Sequence, residues 1–147
     1  MDFGTQLGVF RKKGIRNMRV VAALAIRDVA EAMQTPQTSA KFTGGNFVVG
    51  KIPVLSSELR ESLVSSKNGG SGLKGSTSYL AVTTDLQMGD IIRFMYDSEY
   101  GLRIELGFRG TDSMGRTYRQ AGRLFVTIAA KRFREFLAIR AAEVNGR

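Results

Sequence analysis

The acidic side chains are the first place to look for chemistry, because the sequence contains neither cysteine nor histidine. It therefore has no thiolate or imidazole to serve as nucleophile, general base or metal ligand. Two carboxylate pairs are closely spaced, Glu58 with Glu61 and Asp97 with Glu99, and such pairs can do acid–base work. Their surroundings favour charge at a helix start and polarity in a turn. We predict that the protein is not an enzyme and uses no cofactor.

A second candidate for chemistry is the run Gly45–Lys51, whose spacing fits a phosphate-binding loop. That motif requires a serine or threonine after the lysine to hold Mg²⁺, and a helix N-terminus to meet the phosphates. Ile52 and Pro53 follow instead and supply neither. We therefore expect a loop with a short strand here and no nucleotide site.

The charge of the chain is informative about partners. Net charge is +9, from 22 basic and 13 acidic residues, and the excess lies in residues 1–41 and 99–147. This balance suits contact with nucleic acid or an acidic protein surface. The chain lacks helix-turn-helix, zinc-ligand and aromatic RNA-binding motifs, so contact with nucleic acid would be to phosphates, without reading bases. A basic nucleic-acid-binding protein of this kind is one hypothesis, and a small Mg²⁺-dependent carboxylate enzyme, lacking any clustered acidic motif, is a weaker one.

The N-terminal region has the periodicity of a helix. Apolar residues recur at three- and four-residue steps from about Gln6 to Gln34, and Gly14 marks a kink or a shorter first segment. The helix ends at Thr35-Pro36, because proline disfavours the helical region for the residue before it. No apolar run approaches the length of a membrane span, so we predict neither a transmembrane segment nor a signal peptide.

The middle of the chain contains its most polar, glycine-rich stretch. A short helix is predicted over Glu58–Val64, capped by Ser56 or Ser57. The Lys67–Ser76 stretch then predicts a flexible loop, and we assign residues 65–77 to it. It is a hairpin tip, an arm that orders on a partner, or an exposed loop without a role.

Three strands are predicted next, over Ser78–Thr84, Ile91–Tyr96 and Tyr100–Gly107, joined by short links as an antiparallel meander. In the third, apolar and charged residues alternate, so we expect it to be half-buried and to organise the fold. Its Glu105 is interpreted as a structural or subunit-contact carboxylate, with a nearby arginine as its partner. The residues that follow, Phe108–Gly122, are predicted to form a loop rich in glycine and arginine.

The last predicted element is a helix over Arg123–Val144 with a wide apolar side. Phe125, Phe133 and Phe136 on this side indicate heavy burial, against the sheet or against another subunit. The predicted fold class is α+β: a long N-terminal helix, an antiparallel meander of three to four strands, and a long C-terminal helix that packs on it. A chain of 147 residues accommodates this as a single domain over residues 1–147.

Taken in order, these elements and motifs resemble a known family, the neck or tail-completion proteins of tailed bacteriophages. The resemblance spans nearly the whole chain and is carried by Pro53-Val54 with Leu59-Arg60-Glu61-Ser62-Leu63, by Tyr100 with Ile104-Glu105-Leu106-Gly107, and by the placement of the last helix. The chain differs from the family pattern at Leu55-Ser56-Ser57, Gly101 and Ala121-Gly122, where the family usually has Asp-Thr-Gly, alanine and Pro-Ala.

The resemblance implies a structural virion protein of a tailed phage. It would be a ring-forming subunit that joins the head connector to the tail around the DNA channel, in the neck of the virion and, during assembly, in the host cytoplasm. Its expected partners are identical subunits, the head connector or portal-side adaptor, and the tail terminator or tail-tube proteins. It would contact packaged DNA without sequence specificity, and no membrane.

Candidate roles for individual residues follow from the resemblance. Basic side chains of the two terminal helices are candidates to contact DNA in the channel or an acidic partner: Arg11, Lys12, Lys13, Arg16, Arg19, Lys131, Arg132 and Arg134. The flexible stretch is a candidate arm toward a neighbouring subunit or ring, through Lys67, Gly69, Gly70, Gly72 and Lys74. Structural or interface roles are expected for Tyr100, Glu105, Phe125, Phe133 and Phe136.

Overall fold

A long N-terminal helix, α1 (Phe3–Gln34), is the largest element of the computed structural model, which describes residues 2–37, 48–53, 57–111 and 113–146. The helix has 32 residues, which makes it about 48 Å long. The Asp2 carboxylate caps its start by accepting a hydrogen bond from the Thr5 amide at 2.7 Å. The helix continues through Gly14 and ends at Gln34, before Thr35 and Pro36, so the predicted stop is confirmed and there is no separate first segment.

The remaining elements are short. In chain order they are β1 (Pro36–Gln37), β2 (Ile52–Pro53), α2 (Glu58–Glu61), β3 (Leu63–Lys67), β4 (Leu73–Lys74), α3 (Tyr79–Thr83), β5 (Ile92–Tyr96), α4 (Gly101–Leu106), β6 (Gly107–Thr111), β7 (Thr117–Ala121), α5 (Phe125–Lys131) and α6 (Phe133–Asn145). The central sheet is antiparallel with the order β4-β3-β5, while β1 and β2 pair in parallel and β6 and β7 form an antiparallel hairpin. The predicted α+β class, with a long first helix, an antiparallel sheet and packed C-terminal helices, is confirmed.

The core lies between the helices and one side of the central sheet. One cluster joins α1, β3, α3 and α5 through Ala30, Met33, Leu63, Tyr79 and Ala129. A second cluster contains Ile52, Leu59 and Phe125, and Tyr96 and Val126 pack against both. The Tyr96 and Phe125 rings meet edge to face with centroids 5.3 Å apart. The predicted burial of Phe125 is confirmed, since 1% of its surface is exposed.

The stretch predicted as the organising strand, Tyr100–Gly107, is instead mostly helix α4. Leu102 and Leu106 are four residues apart, so in a helix they share one face, and both are exposed. The five residues Leu102–Leu106 alternate in character, which fits either a strand or a short helix, and periodicity alone does not decide between them. The deciding interaction is non-local, because Glu105 caps helix α5. Gly107, with φ of +91°, ends α4 and begins β6.

Two further predictions in this part of the chain are wrong. The predicted strand Ser78–Thr84 is helix α3, whose buried residues Tyr79, Val82 and Thr83 follow helical spacing. The Thr83 hydroxyl donates to the Tyr79 carbonyl at 2.8 Å, a bond within one helical turn. The predicted loop Phe108–Gly122 is mostly the β6–β7 hairpin, and Phe108, Thr111 and Thr117 are of the aromatic and β-branched types that are enriched in strands.

The observed boundaries of two predicted helices differ from the predicted ones. The predicted helix Glu58–Val64 ends at Glu61, and Leu63 already pairs with Tyr96 in the sheet. Ser57 precedes this helix without a side-chain cap, and Ser56 lies outside the described residues. The predicted helix Arg123–Val144 is divided at Arg132 into α5 and α6. Pairing of Leu63 in the sheet accompanies the early end of α2, and both α5 and α6 pack against α1.

Candidate functional site

The structure gives Glu61 and Asp97, from the two predicted carboxylate pairs, contacts with other parts of the chain. Glu58 and Glu61 lie in the first turn of α2, and a Glu61 oxygen accepts a hydrogen bond from the Ser76 amide at 3.3 Å. Asp97 forms an ion pair with Lys74 at 3.3 Å. In the described ranges, no three acidic side chains lie close enough together to hold a metal ion. The run Gly45–Lys51 is described only from residue 48, and its last residues lead into strand β2 rather than a helix.

Glu105 is the carboxylate with the most complete set of partners. Its two oxygens accept hydrogen bonds from the Val126 amide at 3.0 Å and the Thr127 amide at 2.8 Å, and from the Thr127 hydroxyl. These amides belong to the first turn of α5, where a helix favours negative charge. Glu105 therefore fastens α4 to α5, and its partners are amides and a hydroxyl where the sequence favoured an arginine.

A buried polar group that sequence reasoning missed lies around Gln34, at the end of α1. Its side-chain amide donates to the carbonyls of Arg60 and Ser76, both at 2.9 Å, and its oxygen accepts from the Tyr96 hydroxyl at 2.7 Å. Arg60 returns a bond to the Gln34 carbonyl at 3.1 Å. Burial raises the pKa of Tyr96, so the phenol stays protonated and acts as a donor. The network joins α1, α2 and the sheet, and its role is structural.

The basic residues of α1 divide into two kinds. Arg11, Lys12, Lys13 and Arg16 are exposed on its N-terminal half. Arg19 instead lies against the segment after α3, where its Nε donates to the Leu86 carbonyl at 2.9 Å. Four of the five predicted contact residues in α1 are therefore available to a partner, while Arg19 also holds the fold together.

The same half of α1 carries apolar side chains on its surface. Phe3, Leu7 and Phe10 recur at steps of four and three residues, so they share one helix face, and they are 73%, 51% and 76% exposed. We call these three residues the α1 stripe. The stripe leads into a groove of about 670 Å³ between α1 and α6. Its lining is mainly apolar and includes Phe10, Gly14, Met18, Leu137, Ala141 and Val144.

The predicted basic residues of the last helix lie elsewhere. Helix α6 runs antiparallel to α1, since Phe133 lines a cavity with Val29, and Val144 lines the groove with Gly14. Lys131 ends α5, and Arg132 and Arg134 lie at the start of α6, so all three are roughly 20 Å along α1 from the exposed basic residues of its first half. Arg132 is held by Glu135 at 3.1 Å and lies over the Phe136 ring. The two predicted groups do not form one patch.

The aromatic residues predicted as structural or interface groups have different surroundings. Phe136 is buried, Phe133 is half-buried beside Ile26 and Val29, and Tyr100 is 54% exposed in the turn before α4. The first two contribute to the packing of α6, and Tyr100 is accessible.

The predicted arm is fastened to the sheet on both sides. Lys67 and Lys74 form ion pairs with Asp90 at 3.9 Å and Asp97 at 3.3 Å. A Cβ on Gly72 would lie 2.2 Å from a Val64 methyl, so the chain packs closely there. Gly69 and Gly70 lie in the exposed turn between β3 and β4. The segment is a short hairpin at the edge of the sheet, with its lysines already paired.

A different basic segment, the β6–β7 hairpin, was predicted only as a loop. Arg109 and Arg119 are directly opposite each other on its two strands, and both are exposed. Two signals could have identified it: turn-forming residues at Ser113 and Gly115, and the strand-like Thr117–Arg119 that follows them.

Comparisons with protein-family models, curated proteins and solved structures find no match to this chain. Of the helices in the described residues, none has the length and apolar character needed to cross a membrane.

Proposed function

We propose that this protein is a structural virion subunit of a tailed phage. In this role it forms a ring that joins the head connector to the tail around the DNA channel. The observation that carries the proposal is the α1 stripe, an exposed apolar helix face that continues into the groove beside α6. The family resemblance of the sequence supplies the kind of assembly, and the α+β fold is consistent with it.

The exposure of the α1 stripe favours an assembly surface. Contiguous exposed apolar patches on a soluble protein mark interaction sites, whereas single exposed residues need no explanation. Burying one large apolar side chain is worth about 1.5–3 kcal/mol, so three on one face provide a substantial part of an interface. The neighbouring groove extends the same surface toward the body of the protein.

One glycine in α1 supports the same conclusion. Gly14 lies within the helix, where glycine costs about 1 kcal/mol relative to alanine. A Cβ at this position would meet no atom within 4 Å, so the packing of the subunit itself does not require glycine. Gly14 lines the groove beside α6, so close approach of another chain to this groove would explain it.

The charge of the N-terminal half of α1 indicates which contacts between subunits are favoured. Arg11 and Lys13 flank the α1 stripe, and Lys12 and Arg16 lie on the other side of the same half of the helix. Two copies that face each other through this half would therefore repel. A head-to-tail contact with a different surface of the next subunit avoids this repulsion, and such contacts generate rings when the rotation between subunits closes. The exposed basic side chains are then available to DNA or to acidic faces of the connector and tail proteins.

The experiment is sizing of the full chain by light scattering, alone and mixed with phage connector or tail preparations. We expect the wild type to assemble or co-assemble, and Phe10→Glu to be a folded monomer that does neither. Leu102→Glu is the matched control, because Leu102 is similarly exposed on α4, away from the α1 stripe. It should behave as the wild type does.

A wild-type chain that remains monomeric and joins neither preparation would contradict the proposal. If that monomer also bound DNA strongly and with steep salt dependence, the alternative of a free, non-sequence-specific nucleic-acid-binding protein would be favoured.

A further inference from the structure

The β6–β7 hairpin has one face made of arginine and threonine. In its register Arg109 is opposite Arg119, and Thr111 is opposite Thr117. Side chains alternate between the two faces of a strand, so these four residues lie on the same face. They also line a concavity of about 320 Å³ together with Gly110. The face therefore presents two guanidinium groups and two hydroxyl groups around one open space.

The charges on this face are not compensated within the described part of the chain. Directly opposed residues have Cβ atoms about 4.5–5.5 Å apart, and like charges at that distance are destabilising. Neither Arg109 nor Arg119 forms an ion pair with any described carboxylate, whereas Arg140 is paired with both Asp28 and Glu143. A hairpin that keeps two facing arginines is suited to an anionic partner.

The base of the hairpin is held firmly while its outer part is exposed. The Arg123 amide donates to the Ile104 carbonyl at 2.8 Å, and the Leu124 amide to the Glu105 carbonyl at 3.1 Å. A Cβ on Gly122 would lie 2.4 Å from the Glu105 carbonyl oxygen, so the returning strand passes very close to α4. The arginine face is therefore presented on a fixed support.

The opposite face of the hairpin is occupied by Phe108. The Arg103 guanidinium lies 4.8 Å from the centre of the Phe108 ring, a cation–π contact. The ring also covers Gly110, where a Cβ would lie 2.7 Å from it. This packing leaves the face of Arg109 and Arg119 as the open one.

We propose that the face of the β6–β7 hairpin bearing Arg109 and Arg119 binds the phosphodiester backbone of double-stranded DNA, without reading its sequence. One guanidinium group can donate two parallel hydrogen bonds to phosphate oxygens, and the threonine hydroxyls add further donors. The inference rests on the proposed function in one respect only, namely that the protein lies beside DNA.

Phosphate is favoured over protein carboxylates because of the closeness of the two arginines. Each DNA strand carries a negative charge about every 3.4 Å along the helix axis, so adjacent phosphates can serve both guanidinium groups together. Carboxylates on a protein surface seldom form such a row, because neighbouring like charges repel.

The test is binding of a short DNA duplex to the full chain, followed by fluorescence anisotropy over a range of salt concentrations. Removing both arginines in Arg109→Gln/Arg119→Gln should reduce the slope of log affinity against log salt by about 1.8, since each phosphate contact contributes about 0.9. The matched control is Lys51→Gln/Arg93→Gln, which removes the same charge from exposed positions outside the hairpin. Its slope should equal that of the wild type.

The inference is overturned if the wild type does not bind the duplex at about 50 mM salt. It is also overturned if the control pair lowers the slope as much as the hairpin pair does. If the hairpin variant changes its oligomeric state but binds DNA as the wild type does, the inference is also overturned, and the arginines contact a protein partner instead. The sizing experiment is independent: a monomer whose DNA binding depends on Arg109 and Arg119 would contradict the ring and support this inference.

Discussion

Gln34 and Arg119 are both polar side chains, but they belong to regions built in different ways. Gln34 is 4% exposed, and its amide group makes hydrogen bonds to α2, to the segment before α3 and to Tyr96. Arg119 is exposed and faces Arg109 across the hairpin. The hydrogen-bonding atoms of the Gln34 side chain are satisfied within the protein, whereas the hairpin leaves two charged groups facing outward.

The same contrast holds for apolar groups. Phe125 is buried and packs edge to face on Tyr96, whereas Phe10 is 76% exposed on α1. Unpaired charges and uncovered rings each have a cost in an isolated subunit. Such groups lie on the first half of α1 and on the β6–β7 hairpin, which are the two surfaces that we propose to bind partners. Substitutions at buried and at exposed positions test this difference between the interior and the surface.

The largest expected difference is between two identical substitutions. Phe125→Ala should lower the free energy of unfolding by about 3–5 kcal/mol, because it opens a cavity between α5 and the sheet. Phe10→Ala should change it by less than about 0.5 kcal/mol, because the ring is exposed in the subunit. Urea unfolding of both variants at low protein concentration measures the difference. Equal losses would show that α1 is covered within the subunit.

A smaller loss is expected where a carboxylate stabilises the body of the protein. Glu105→Ala should cost about 1–2 kcal/mol, because the first amides of α5 and the Thr127 hydroxyl lose their acceptor. Urea unfolding gives the cost, and hydrogen exchange at the Val126 and Thr127 amides should accelerate. Glu99→Ala, on the exposed turn before α4, is the control and should leave both unchanged. Unaltered exchange at α5 in the Glu105 variant would exclude the capping role.

The contrast also explains what could be predicted from the sequence. The long helix α1 and its end at Pro36, strand β5 and the burial of Phe125 follow from periodicity and local stereochemistry, and all are present. The predicted strand around Glu105 was wrong because its conformation depends on amides more than twenty residues away. The Gln34 network joins segments far apart in the chain, so no local pattern reveals it.

The candidate surfaces were predictable in composition but not in arrangement. The sequence identifies five basic residues of α1, and the structure leaves four of them exposed while Arg19 donates to the Leu86 carbonyl: Arg11, Lys12, Lys13, Arg16 and Arg19. The facing of Arg109 and Arg119 depends on strand register, which the glycine-rich sequence did not indicate. The strand register places Arg109 and Arg119, which are separated in the sequence, on one face of the hairpin.

The smallest expected effect is a gain. Arg119→Glu replaces two facing like charges with an opposite pair across the hairpin, so the free energy of unfolding should rise by about 0.2–1 kcal/mol. Arg93→Glu is the control, because Arg93 faces Ser66 in the central sheet and has no like charge opposite to relieve. Urea unfolding at low salt should show the gain only in the hairpin variant, and added salt should reduce it, because exposed charges are screened. A hairpin variant that is no more stable than the control would mean that the two arginines do not repel in the free subunit. An arginine pair that costs stability in the free protein, and whose replacement removes DNA binding, is better explained by a bound phosphate than by folding.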